Sequence, residues 1–69
     1  MKISARNILK GKVLKVKKGA VNSEVTIQLP GGDQVISIIT NTSVKSLGLK
    51  TGMNAYAIIK ASNVMVGVD

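Results

Sequence analysis

The sequence predicts an all-β domain, a small five-stranded barrel of the oligonucleotide/oligosaccharide-binding (OB) kind with one short helix between strands 3 and 4. Three observations lead there. Gly and Pro cut the chain into short segments. Most of those segments are rich in β-branched residues with alternating polarity. And 69 residues leave room for one small core, so residues 1–69 read as a single domain.

The first strand is expected over residues 8–16. Lys10, Lys12, Leu14 and Val16 share one of its faces and Leu9, Gly11, Val13 and Lys15 the other. Neither face is cleanly apolar, and Gly11 is expected to mark a bulge or a close backbone approach that shifts the pattern midway. Lys17-Lys18-Gly19-Ala20 is a turn. The second strand alternates well, with Val21, Ser23, Val25, Ile27 and Leu29 against Asn22, Glu24, Thr26 and Gln28. Pro30-Gly31-Gly32-Asp33 then makes a hairpin that returns the chain into residues 34–40. There Val35, Ile36, Ile38 and Ile39 place apolar groups on both faces, which calls for a second cover, and a neighbouring subunit can supply it. Residues 41–49 predict one or two helical turns, capped by Asn41 or Thr42, with Val44 and Leu47 inward and Gly48 closing. A fourth strand over residues 54–60 and, after Ala61-Ser62-Asn63, a fifth over residues 64–68 complete the domain.

Composition bounds the function. A domain of this length buries only about 60% of the surface its unfolded chain exposes, so a lone monomer is marginal. The chain has no Cys and no His, which removes disulfides and the usual zinc site as reinforcement; oligomerisation is left. No run approaches the roughly 18–20 apolar residues of a membrane span, and the N-terminus lacks the apolar stretch of a signal peptide. A cytoplasmic protein without membrane partner is expected. Ten cations against three acids give +7, so the partner is an anion. Catalysis has little to draw on: the acids Glu24, Asp33 and Asp69 are scattered, and no base stands beside a nucleophile. The chain is read as no enzyme and as needing no cofactor.

Two classes of anion remain. A basic OB-like barrel is a common reader of single-stranded nucleic acid, and this is the alternative reading. Such readers stack bases on aromatic side chains, and Tyr56 is the one aromatic here. A small oxyanion needs backbone N–H groups, hydroxyls and one or two cations converging on a pocket. Ser4-Ala5-Arg6-Asn7 has that chemistry just before the first strand, and Lys60-Ala61-Ser62-Asn63 repeats it just after the fourth, with an ammonium in place of the guanidinium. The plainer reading of both is surface cations and turn formers at strand ends. Lys10, Lys12, Lys15, Lys17 and Lys18 read as a solvated face that raises the local anion concentration.

These segments also carry a resemblance. Ile3-Ser4-Ala5-Arg6-Asn7-Ile8-Leu9-Lys10-Gly11-Lys12-Val13 resembles the I-S-A-R-N-x-L-x-G-x-V opening of molbindin (Mop, TOBE-type) domains. Gly19-Ala20-Val21-Asn22-Ser23-Glu24-Val25 is similar to their G-x-V-N-x-E-V segment, and Ser43-Val44-Lys45-Ser46-Leu47-Gly48-Leu49 to their S-V-x-x-L-G-L helix. Ala57-Ile58-Ile59-Lys60-Ala61-Ser62-Asn63-Val64-Met65-Val66 is similar to their closing A-x-I-K-A-[ST]-x-V-M. The resemblance spans essentially the whole chain, and it implies an OB-like fold and a cytoplasmic homohexamer, a trimer of dimers. Molybdate or tungstate would lie at subunit interfaces, for storage and homeostasis. By the same resemblance Ser4, Ala5, Arg6, Lys60, Ala61 and Ser62 form the main oxyanion site, and Thr40, Ser43 and Val44 a secondary one. The metal is then held through its oxygens, with no side chain ligating it directly and no nucleic acid as partner.

Overall fold

A computed structural model describes every residue, Met1–Asp69. Strand β1 (Asn7–Lys18) is followed by β2 (Asn22–Gln28), β3 (Gln34–Thr40), helix α1 (Asn41–Leu47), β4 (Asn54–Ile59) and a 3-10 turn, Ala61–Asn63. The strands form one antiparallel sheet in the order β3-β2-β1-β4. Long β1 organises it. Its first half, from Asn7 to Lys12, pairs with β4, and its second half, from Lys12 to Lys18, pairs with β2. A strand shared end to end between two partners curls the sheet, giving a half-barrel of OB-like form.

The curl has two local causes. Register slips between Val13 and Lys15, so Leu14 is the extra residue of a bulge. Gly11 is the expected close approach: a Cβ there would stand 2.5 Å from the Gln28 carbonyl oxygen, so only glycine lets β1 pass β2 at that distance. The bulge also corrects the assignment of faces. Gly11 and Val13 point inward before it, and Val16 does so after it; Lys10, Lys12, Lys15 and Lys17 all lie exposed on the outer side. Inside, Val13, Val25, Ile27 and Ala57 form the buried core, with Val16, Val35, Ile39, Val44 and Met53 packed around it.

Several expectations are corrected. The fifth strand does not form in the single chain. Residues 64–68 make no ladder, and Met65, Val66 and Val68 are more than 90% exposed. The seam such a strand would close is visible as an apolar trough between β3 and β4. Fourteen of its sixteen lining residues are hydrophobic, Val35, Ile39, Ala55 and Ile59 among them, so what fits it is an apolar segment. The helix is capped by Thr40, not by Asn41 or Thr42: the Ser43 N–H donates to Thr40 Oγ1 at 3.0 Å. Asn41 is drawn elsewhere, accepting from Ser23 Oγ and donating from Nδ2 to the Gly19 carbonyl at 3.0 Å. Gly48 closes the helix in the left-handed region at φ 64°. Leu47 is exposed instead of inward, because a helix of two turns presents only Val44 to the core. On β2, Val21 precedes the ladder and is exposed, and Thr26 is buried between its register partners Lys15 and Ile36. Ile36 and Ile38 find no second cover within the chain.

Candidate functional site

The antiparallel register of β1 and β4 builds the candidate site. Asn7 opens β1, Ile59 ends β4, and they are register partners. Arg6 and Lys60 each stand one residue beyond that pair, so segments 54 positions apart meet at one end of the sheet. Neighbouring antiparallel residues have Cα atoms about 4.5–5.5 Å apart, within the reach of an Arg and a Lys side chain toward one small anion. The junction is stitched by Asn7, whose Nδ2 donates to the Ile59 carbonyl at 3.2 Å.

Past Ile59 the chain tightens into the 3-10 turn, closed by the Asn63 N–H donating to the Lys60 carbonyl at 2.8 Å. The N–H groups of Ala61 and Ser62 open this turn, where its geometry offers them no partner. Ser4, Arg6, Lys60 and Ser62 are exposed, Ala5 is half-buried, and none of the four polar side chains hydrogen-bonds within the chain. Two hydroxyls, two cations and free backbone donors thus share one end of the sheet. Glu24 is remote, paired in register with Lys17 at the other end of β1, and Asp33 lies in the β2–β3 turn. No three acidic, His or Cys groups gather anywhere to hold a cation. The chemistry on offer is anion capture through oxygens.

The three other candidates lie elsewhere. Thr40 pairs with Asn22, beside the far end of β1. Its hydroxyl accepts from the Ser43 N–H and donates to Ser43 Oγ at 2.8 Å, so the two residues are together but mutually engaged. Val44 is half-buried on the core. Sequence reasoning missed the role of Asn7. It counted the amide among the anion donors, whereas the structure spends it on fastening the two segments, and no local pattern announces a partner 52 residues away.

Comparison with known proteins identifies the family. Residues 3–66 match the TOBE domain family. The chain is 54% identical, over the full length of both, to a probable molybdenum-pterin-binding protein of Haemophilus influenzae. Among solved structures it superposes on MopII from Clostridium pasteurianum with a TM-score of 0.91 at 46% identity, covering 97% of this chain and all of that one. It superposes on the cytoplasmic molybdate-binding protein ModG, crystallised with molybdate bound, with a TM-score of 0.95 at 52% identity. That match covers all of this chain and 49% of ModG.

Proposed function

We propose a function from the premise that this chain belongs to the TOBE domain family and is related to the Mop proteins: it binds molybdate in the cytoplasm, reversibly and without catalysing a reaction. One observation carries the reading. The Asn7–Ile59 register brings Arg6 and Lys60, with Ser4, Ser62 and the N–H groups around Ala5 and Ala61, to one end of the sheet. Two cations match a 2− tetrahedral oxyanion in charge, and hydroxyl and N–H donors match its oxygens. Tungstate, of the same charge and shape, is the second ligand. Thr40, Ser43 and Val44 form a secondary site, in which the Thr40 and Ser43 hydroxyls turn from each other to the anion. Storage and buffering are the roles such reversible binding serves.

Assembly belongs to the same reading. The trough between β3 and β4 and residues 64–68 are both apolar and uncovered in the single chain, which supports an exchange in which one chain's tail fills the seam of its partner. Residues 64–68 follow directly on the Lys60–Ser62 turn, so the exchange sets the oxyanion site where two chains cross. Ile36 and Ile38, exposed on β3, supply the surface through which dimers gather into a hexamer. Calorimetric titration with molybdate at physiological salt, with sulfate as competitor, tests the function. Heat of binding that saturates and survives excess sulfate is expected; no heat and no thermal stabilisation would overturn it.

A further inference from the structure

The outer face of the sheet carries a polar cleft that the oxyanion site does not use. It lies between Lys10 and Lys12 of β1, Gln28 at the end of β2, Pro30 and Gly32 of the β2–β3 turn, and Asn54 at the start of β4. The register sets Gln28, Lys12 and Asn54 in one row across three strands with Lys12 at its centre, and Lys10 follows on the same exposed face. Strand spacing makes that row about 10 Å wide. Glycine at position 11 holds the row together, since any Cβ there would strike the Gln28 backbone.

The lining selects a ligand class. No acid lines the cleft, and one of its eight residues is hydrophobic. Two ammonium groups supply charge, and the Gln28 and Asn54 carboxamides, without hydrogen bonds inside the chain, both donate and accept. A volume of about 490 Å³ is far more than one tetrahedral oxyanion fills and falls among small-molecule sites, roughly 300–1,000 Å³. We propose that this cleft is a second, independent ligand site, for a phosphorylated small organic molecule whose phosphate is held by Lys10 and Lys12 and whose polar body meets Gln28 and Asn54. Lys10 and Lys12 stand four and six residues along β1 from Arg6, about 13–20 Å away, so the two sites fill separately.

The test is titration of the full chain, followed by backbone amide NMR, with 5′-AMP and with inorganic pyrophosphate at physiological salt. Shifts at residues 10–12, 28–32 and 54, larger and at lower concentration with AMP than with pyrophosphate, are expected. Lys12→Gln should weaken AMP binding about tenfold or more while leaving molybdate affinity within about twofold, since Lys12 lies outside the oxyanion site. The unliganded spectrum of the variant reports that it remains folded. Shifts confined to residues 4–6 and 60–62, shifts spread equally over Lys15 and Lys17, no shifts at all, or unchanged binding by Lys12→Gln would each overturn the proposal.

Discussion

Replacing Val66 with Asp should take the assembly apart. Residues 64–68 alternate as a strand does, Val64, Val66 and Val68 on one side and Met65 and Gly67 on the other, yet Val66 is 91% exposed in the single chain. The chain exposes 5571 Å² at 7.2 kDa, where a compact monomer of that mass exposes about 4,100 Å². The excess, roughly 1,450 Å², is well above the ~800 Å² each partner buries in a standard interface. Seating Val66 in a partner's seam contributes about 1.5–3 kcal/mol, and a carboxylate against those apolar walls adds a desolvation cost of several kcal/mol. At a conservative ~3 kcal/mol per copy, a reciprocal exchange loses ~6 kcal/mol, more than four decades in the dissociation constant. Sedimentation velocity at micromolar concentration reads the outcome directly. The native chain should sediment as an oligomer and Val66→Asp as monomer or unfolded chain, while Val66→Ile keeps the native mass and Lys17→Asp controls for the charge change. A Val66→Asp protein of unchanged mass and melting temperature would refute the seam as the site of exchange.

Three further outcomes are expected. Lys60→Ala removes a charge-assisted contact and should weaken molybdate about ten- to a hundredfold. Lys17→Ala, at the far end of β1, should cost less than about threefold by calorimetry; equal losses would mean diffuse attraction. Gly11→Ala forces a methyl to within 2.5 Å of the Gln28 carbonyl oxygen and should cost about 1–3 kcal/mol by overpacking, read in urea denaturation; a neutral result would refute the close approach. Thr40→Ala removes the helix cap and should cost about 1 kcal/mol, seen as a lower thermal midpoint by circular dichroism, with Thr40→Ser restoring most of it.

How much of the fold is legible depends on whether a segment's partner lies nearby in sequence. Strand β3 ends where the sequence places it because Pro30-Gly31-Gly32-Asp33 fixes its start and a helix cap its finish, both local signals. The face assignment of β1 fails after Leu14 because a bulge is a property of the pairing with β2, invisible in β1 alone. Thr40, Asn41 and Thr42 are all able caps by chemistry; Ser23 and the Gly19 carbonyl take Asn41 out of that choice by engaging its side chain. Residues 64–68 have the pattern of a strand and are none, because a strand exists only against an edge, and a single chain brings none to them.

The site follows the same rule, with a consequence for how binding works. Its ingredients are readable as a recipe written twice, but that Arg6 and Lys60 come to the same end of the sheet is decided by the Asn7–Ile59 register. On the proposed exchange, the Lys60–Ser62 turn leads directly into residues 64–68, so a chain that withdraws its tail should also displace half of the proposed donors. An anion that binds only the assembled form stabilises that form by about 2.7 kcal/mol per site at a hundredfold excess over its dissociation constant. Molybdate should therefore shift dissociation of the native oligomer to lower protein concentration by about two decades per site released, and should raise its melting temperature. For Val66→Asp both effects should vanish together. Sedimentation across a dilution series with and without molybdate separates the possibilities: dissociation indifferent to the anion would show that each chain holds its site alone, and that bringing Arg6 and Lys60 to the same end of one sheet is sufficient for binding.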